Sequence, residues 1–139
     1  MNVGTPDSPK VSDVRKYLSE FLNDPRVIDI PWIARKLLVN AIIVPFRAPK
    51  SAKIYKQMWT DEGSPLLIHS EKFRDGLQAD LGDKYQVEIA MRYQSPSVEE
   101  GLEKIRKNNP KKIIVVPMYP QYASSSTGTC IEEVMRISS

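Results

Sequence analysis

The sequence predicts an open α/β domain in which helices cover both faces of a parallel sheet. Residues 85–93 alternate apolar and polar side chains, and residues 113–116 form a β-branched apolar run, so both are predicted strands. Stretches with the apolar spacing of helices precede, separate and follow them, which is typical of parallel strands joined by right-handed crossovers. We therefore expect one three-layer α/β/α domain over the 139 residues.

The composition describes a globular protein and excludes several classes of function. Hydrophobic residues make up 41% of the chain and charged residues 27%, unlike a disordered protein. The net charge of +3 is too small to indicate nucleic-acid binding. A single cysteine, Cys130, excludes an internal disulfide and favours a reducing compartment, so we expect a cytoplasmic protein. The sequence shows neither a signal peptide nor a membrane-spanning stretch.

The first third of the chain contains two predicted helices of different character. The first is amphipathic, ends before Pro25 and has its apolar side chains at Val14, Tyr17, Leu18, Phe21 and Leu22. In the second, residues 30–46, apolar side chains cover more than one face. Such a helix is buried, or it lines an apolar ligand or a membrane surface, and burial is the default expectation.

A row of basic residues follows this helix. Arg47, Lys50, Lys53 and Lys56 are spaced by threes with no acidic residue among them. On a helix they share one side, which is either a solvated basic face or a clamp for a carboxylate or phosphate, with Tyr55 adding a hydroxyl.

Two further helices flank the first predicted strand. One begins at Ser64 and Pro65 and ends near Gly82, and the other begins near residue 95 and ends before residue 110. Arg92 and Tyr93 fall at the carboxyl end of the strand between them, where open α/β sheets bind ligands.

A polar loop separates the second strand from the last helix. Residues 124–127 are four consecutive hydroxyl residues just before a helix with apolar spacing at residues 131, 134 and 135. Free backbone N–H groups and the helix dipole suit this loop to an anion, whereas the plain alternative is an ordinary N-cap.

The sequence contains no complete catalytic signature. It has no Walker loop, no Gly-x-Gly-x-x-Gly motif and no serine-hydrolase motif. His69 is the single histidine, and no second histidine or cysteine stands at ligand spacing, so we expect a structural or surface role. We therefore predict neither a catalytic residue nor a metal ligand.

Five stretches, taken in their order and spacing, resemble the ferrochelatases, which insert ferrous iron into a porphyrin. They are residues 2–9, residues 17–27, Gly63-Ser64-Pro65-Leu66, Ala90-Met91-Arg92-Tyr93, and residues 119–128 with Tyr119-Pro120-Gln121-Tyr122 and Ser125-Ser126-Thr127-Gly128. The resemblance covers almost the whole chain. It implies most of the first of two Rossmann-like domains, with the porphyrin in the cleft between them.

The resemblance also implies which residues contact the porphyrin. It places Val3 against the metal side of the macrocycle and residues 30–46 at the apolar lip of the cleft mouth. The other implied contacts are Arg47, Lys50, Tyr55 and Ser64 at the propionates, Arg92 and Tyr93 near the ring, and Tyr119, Ser125, Ser126 and Thr127 in the loop. The family's metal-handling histidine and glutamate belong to its second half, so we expect the isolated chain not to insert metal.

In some ferrochelatases a cysteine in this loop ligates a [2Fe–2S] cluster. Ser124 stands at that position here, and Cys130 does not replace the missing ligand. The resemblance therefore implies no cofactor in this chain, with ferrous iron as a substrate.

Two hypotheses follow. The chain is the N-terminal domain of a ferrochelatase and works with the remainder of its own chain, or it is a complete, non-catalytic porphyrin- or anion-binding module. A chelatase for another metal or a sirohydrochlorin-type ring is disfavoured by the match over residues 119–128. Residues 1–3 are too short for the core strand that a turn at residues 4–6 would normally end, and the base that metal insertion needs is missing. Both observations favour a fragment, whose exposed sheet edge should promote self-association. Peripheral membrane contact and the choice between protoporphyrin and coproporphyrin stay open.

Overall fold

The computed structural model describes residues 1–138, and its fold is built around two short parallel strands. Strand β1 is Asn2–Gly4 and strand β2 is Met91–Tyr93. They pair in register, with Asn2 opposite Met91 and Gly4 opposite Tyr93. The carboxyl ends of both strands therefore lie side by side, and the loops that follow them start from one edge of the sheet.

Within residues 1–138, six α-helices surround this pair: α1 is Val11–Leu22, α2 is Trp32–Leu37, α3 is Val44–Met58, α4 is Pro65–Leu81, α5 is Val98–Arg106 and α6 is Thr129–Ser138. A π-helical segment, Leu38–Ile43, joins α2 to α3, so that one long helix runs from Trp32 to Met58. A second π-helical segment, Ser124–Gly128, leads into α6, and a 3₁₀ turn, Gly82–Lys84, follows α4.

The predicted amphipathic helices are confirmed because their periodicity is a local property of the sequence. Helix α1 buries four residues of the predicted stripe, Val14, Tyr17, Leu18 and Leu22, and the fifth, Phe21, is partly buried. Helix α5 begins at a capping box, in which Ser97 accepts from the Glu100 backbone N–H and the Glu100 carboxylate accepts from the Ser97 N–H.

One hydrophobic core lies between α1, the long helix and β2. Its buried members are Val14, Tyr17, Leu18, Leu22, Val39, Val44, Ala48, Ala52 and Tyr93. Packing of α1 against a single side of the long helix leaves the opposite side in solvent.

The default expectation of burial for residues 30–46 is therefore wrong for much of this helix. Trp32, Ile33, Leu37, Ile42 and Phe46 are all more than half exposed, and Phe46 reaches 74%. One covering helix, α1, can bury one face and no more, and the apolar side chains of this segment extend around several faces.

The prediction of a doubly buried strand at residues 113–116 is also wrong. This segment runs beside β1, where the Met1 amino group donates to the Val116 carbonyl at 2.8 Å and the Met118 N–H donates to the Met1 carbonyl at 2.7 Å. It forms no regular ladder, and Ile114 and Val116 are 67% and 57% exposed. A strand buried on both faces needs covering layers, and residues 1–138 do not supply them here.

The predicted strand over residues 85–93 is correct over its last three residues. Before Met91 the chain is irregular: the Val87 N–H donates to the Gln78 side chain, and the Ala90 carbonyl accepts from the Asn2 N–H. Residues 1–138 thus confirm the mixed α/β class with a parallel sheet. Three layers around a larger sheet remain a prediction.

Gly4 is required at the end of β1 by its backbone. Its φ of +106° is strained for any residue with a side chain, and a Cβ there would lie 2.0 Å from the Tyr93 carbonyl oxygen. This close approach draws the loop after β1 against β2. Among residues 1–138, no helix is long and apolar enough to cross a membrane.

Candidate functional site

The buried carboxylate of Asp24 joins the end of α1, the end of β2 and the start of α6. Its Oδ2 accepts hydrogen bonds from Thr129 Oγ1 at 2.5 Å, Tyr93 Oη at 2.8 Å and an Arg92 terminal nitrogen at 2.8 Å. Its Oδ1 accepts from the Arg26 backbone N–H at 2.7 Å. The side chain of Asp24 is 3% exposed, so these four donors replace the water that the carboxylate loses.

The balance of burial and hydrogen bonding keeps Asp24 ionised. Burial alone would raise the pKa of this carboxyl group, but the hydrogen bonds from Thr129, the Arg26 backbone and Tyr93, together with the Arg92 charge, lower the pKa below its ordinary value. Burial raises the pKa of the Tyr93 hydroxyl, which is therefore a neutral donor to Asp24.

Arg92 and Tyr93, two of the predicted porphyrin contacts, are held by this network. Arg92 Nε donates to Thr129 Oγ1 at 2.7 Å and to its carbonyl at 3.2 Å, and the guanidinium carbon lies 4.6 Å from the centre of the Tyr93 ring. The side chain of Arg92 is 16% exposed and Tyr93 is fully buried. The polar groups of both residues are thus engaged inside the chain.

Two further predicted contacts lie at the edge of the hydrophobic core. Val3 and Tyr55 are partly buried against the cluster that contains Tyr93. The Tyr17 ring packs edge-on against both tyrosines, with centroids 6.4 Å from Tyr55 and 6.5 Å from Tyr93. Burial raises the pKa of Tyr55, and this effect is opposed by the hydrogen bond with Tyr17 and by the charge of Arg47.

The basic row lies on the solvent side of α3. Arg47, Lys50, Lys53 and Lys56 are all exposed, and none of the ion pairs within residues 1–138 includes any of them. Phe46 continues the row of exposed apolar side chains directly up to Arg47. The structure therefore places an uncovered apolar surface beside cations that no carboxylate neutralises.

Ser64 has a different environment from the basic row. It is buried, and its hydroxyl donates to Thr5 Oγ1 at 2.9 Å instead of capping α4. Both hydroxyls line a groove of about 580 Å³ whose walls include residues of α4 and α5. Ser64 is the N-cap residue of α4 and Pro65 its first helical residue, as predicted, but the Ser64 hydroxyl makes no cap bond because the neighbouring loop after β1 offers it a tertiary partner.

The hydroxyl residues of the polar loop do not cap α6 either. The Ser126 and Gly128 N–H groups donate to the Ala123 carbonyl, and Ser126 Oγ donates to the same carbonyl at 3.4 Å. Ser125 is exposed and Thr127 is half-buried. Arg26 donates to Ser124 Oγ at 3.2 Å, which links the loop to the end of α1.

Tyr119 lies at the start of this loop against the only cysteine of the chain. Its hydroxyl is 3.5 Å from Cys130 Sγ, and burial raises the pKa of Tyr119, as does its hydrogen bond to that thiol. Cys130 is fully buried.

Asp24, Arg26 and Thr129 are the polar residues that sequence reasoning missed. Asp24 and Arg26 lie inside the matched stretch over residues 17–27, where Asp24 was interpreted as part of the end of a helix and Arg26 was given no role. The signal that could have identified Asp24 is its place in this family motif. Ending a helix does not require an acidic residue at that position.

Comparison with known proteins gives one family model and several relatives, all of them ferrochelatases. The family model for ferrochelatase matches residues 1–139. A ferrochelatase of Coxiella burnetii strain CbuK_Q154 is 46% identical over 134 residues, which is 96% of this chain and 38% of that protein. A Marinomonas ferrochelatase is 46% identical over 98% of this chain and 42% of its own length. A Legionella pneumophila ferrochelatase is 44% identical over 97% and 40%. The chain thus spans about two fifths of the length of these relatives.

Replacing Asp24 should reveal the stability that its carboxylate supplies. Because the pKa of Asp24 is lower in the folded chain than in the unfolded chain, its contribution is complete above the unfolded value of about 4 and is lost as the pH falls through the folded value. At neutral pH, Asp24→Asn should lower the free energy of unfolding by about 3 kcal/mol, because it leaves the Arg92 charge unpaired.

Urea unfolding between neutral pH and pH 3 measures this difference, and the exposed Asp29→Asn is the matched control. The difference between the wild type and Asp24→Asn should shrink at acidic pH. A difference that stays constant with pH would show that the charge of Asp24 is not what stabilises the fold.

Proposed function

The chain belongs to the ferrochelatase family, and from that premise we propose that it is the N-terminal half of an enzyme that inserts ferrous iron into a porphyrin for haem biosynthesis. In this proposal the chain supplies one wall of the porphyrin cleft and the contacts to the propionates. The observation that carries the proposal is the exposed apolar face of the long helix beside the unneutralised basic row of α3.

The chemistry of a dicarboxylic porphyrin matches that surface. Its macrocycle is flat and apolar, and its two propionates are anionic at neutral pH. An exposed apolar row ending at Phe46 offers contact to the ring, and Arg47 and Lys50 offer charge-assisted hydrogen bonds to the carboxylates. An apolar patch of this kind on a folded chain indicates a binding surface.

We propose the remaining contacts in the roles that the resemblance implies. Val3 and Tyr55 pack against the core, and Val3 lies one residue before the carboxyl end of β1, the end at which such sheets bind ligands. Arg92 and Tyr93 would act mainly by holding that end in place, with the exposed part of Arg92 facing the ring. Ser64, which the resemblance implies as a propionate contact, is joined to the loop after β1 by its hydrogen bond to Thr5.

Tyr119, Ser125, Ser126 and Thr127 are proposed as contacts of the polar loop. The loop leaves the segment that lies beside β1 and leads into α6, so it starts from the same end of the sheet as the loops after β1 and β2.

We also propose the domain organisation. Residues 1–139 would form an N-terminal, Rossmann-like chelatase domain, completed as three layers by further strands and by a second domain of the same chain. The parallel pairing of β1 with β2 and the exposed apolar side chains of residues 113–118 support it, because both fit a sheet that continues beyond these residues. We propose a cytoplasmic enzyme, with the apolar lip as the surface for any peripheral membrane contact.

The residues of the polar loop do not fit a [2Fe–2S] cluster. Such a cluster takes thiolate ligands, whereas Ser124 offers a hydroxyl that already accepts from Arg26. Cys130 is fully buried next to Tyr119. We therefore propose that this chain contributes no cluster ligand and that iron enters the reaction as a substrate.

The isolated chain should bind a free-base dicarboxylic porphyrin through the basic row. In an absorbance titration, Arg47→Ala/Lys50→Ala should weaken binding about tenfold, since two charge-assisted contacts to propionates are lost. Lys111→Ala/Lys112→Ala is the matched control, because it removes two exposed charges outside the proposed site. Equal weakening by both pairs would show general charge attraction instead of a propionate clamp.

The isolated chain should not insert iron above the spontaneous rate. Insertion needs a base for two pyrrole protons, a path for the iron and walls that distort the macrocycle. Within residues 1–138, no group of three or more histidine, cysteine, aspartate or glutamate side chains could hold a metal ion. Anaerobic absorbance assays with and without the chain measure the rate. Accelerated insertion would contradict the prediction, and binding without insertion is also the behaviour of the alternative, a stand-alone porphyrin-binding module.

The isolated chain should self-associate through the segment beside β1. Ile114, Val116 and Met118 are exposed apolar side chains next to a short sheet, which is the arrangement that pairs with a second copy. Sedimentation velocity over a wide concentration range should detect dimers, and Ile114→Lys/Val116→Lys should abolish them. Ile33→Lys, equally exposed on the long helix, is the control, and a monomeric wild type at high concentration would contradict the prediction.

A further inference from the structure

The buried residues of the long helix have a spacing that a regular α-helix cannot keep on one face, because one step between them is a residue too long. Val39, Val44, Ala48 and Ala52 all belong to the same core cluster, and the steps between them are five, four and four residues. At 3.6 residues per turn, a four-residue step returns to within about 40° of its start, whereas a five-residue step ends about 140° away. The step from Val39 to Val44 would therefore divide the buried face in a regular helix.

The π-helical segment Leu38–Ile43 accommodates this extra residue. The Val44 N–H donates to the Val39 carbonyl, a hydrogen bond across five residues that brings the two buried valines into line. Single π-helical turns of this kind are rare and occur frequently at functional sites.

The same turn aligns the outer face of the helix. Leu37 lies two residues before Val39, and Phe46 lies two residues after Val44, so each points away from the core when the valines are in line. They are 64% and 74% exposed. Lys50 follows Phe46 by one α-helical turn on this side. The π-helical turn therefore joins the apolar row and the basic row into one surface.

Asn40 is the one polar side chain within Leu38–Ile43. Its Oδ1 accepts from Ser19 Oγ at 2.7 Å and from Asn23 Nδ2 at 3.2 Å. Asn23 also donates to the Ser19 carbonyl at 2.7 Å, at the C-terminal end of α1. These bonds tie the π-helical turn to the helix that covers the core.

We propose that Asn40 is a positioning residue for the porphyrin surface, a role that rests on the proposed function. It holds the π-helical turn against α1, so that Leu37 and Phe46 before and after the turn, and Arg47 and Lys50 beyond it, face one ligand together. Asn40 itself contacts no porphyrin in this proposal.

Two measurements on the same variants test this role. Amide hydrogen exchange reports the Val44 N–H, which bonds across the π-helical turn, and absorbance titration reports affinity for a free-base dicarboxylic porphyrin. Asn40→Ala should speed exchange at Val44 about tenfold and weaken porphyrin binding about tenfold, while the unfolding midpoint changes little because Asn40 is exposed. Asn40→Asp keeps the Oδ acceptor and should restore both values.

Gln57→Ala is the matched control, an exposed amide on the same helix outside the turn. Ser19→Ala removes the hydroxyl that donates to Asn40 Oδ1, and it should shift both measurements in the same direction as Asn40→Ala.

The outcomes separate this inference from the proposed function. Faster exchange at Val44 with unchanged porphyrin affinity would overturn the positioning role, as would an Asn40→Ala chain that matches the wild type in both measurements. A wild-type chain that binds no porphyrin would contradict the proposed function itself, and the inference would fall with it. Wild-type binding that Asn40→Ala leaves intact would overturn the inference alone.

Discussion

The buried ion pair between Asp24 and Arg92 is the constraint on which the rest of the structure depends. Two parallel strands of three residues each are too short to be stable by themselves, so the ends of the sheet need another anchor. Asp24 provides it by accepting from β2 and from the first residue of α6, Thr129, through one carboxylate oxygen. A buried carboxylate with four donors tolerates little displacement, because a lost donor leaves a charge without solvent. The loops at the carboxyl ends of the strands are therefore held in fixed positions.

The long helix shows a different balance between stability and exposure. Its buried side is made of small and β-branched residues that allow α1 to approach closely, and its outer side carries apolar groups that contribute nothing to the core of residues 1–138. Large apolar side chains in solvent weaken solubility without stabilising the fold, so their presence favours a role in binding. Because the basic row lies beside this apolar surface, an amphipathic anion matches it better than a purely apolar ligand does.

Particular elements show how far the sequence could be interpreted before the structure was known. The sequence predicts helices α1 and α5 correctly, because helical periodicity is a property of neighbouring residues. It also predicts the ferrochelatase family, because the order of motifs is a property of the sequence itself. Residues 113–116 have the composition of a buried strand, yet Ile114 and Val116 are exposed, because burial depends on layers that residues 1–138 do not provide. Ser64 has the sequence position of a helix cap, yet its hydroxyl bonds to Thr5 from a distant loop.

The sequence by itself determined the helices, the parallel α/β class and the family, since hydrogen bonds between near neighbours and short motifs require no knowledge of distant contacts. The tertiary structure alone decided which side of the long helix is buried, because the five-residue step between Val39 and Val44 acquires meaning only when α1 packs against both. It also decided that Asp24, Arg92 and Thr129 form one polar centre, from residues more than 100 positions apart. Charges attract through space irrespective of their separation along the chain, so the periodicity around Asp24 does not indicate which distant residues it contacts.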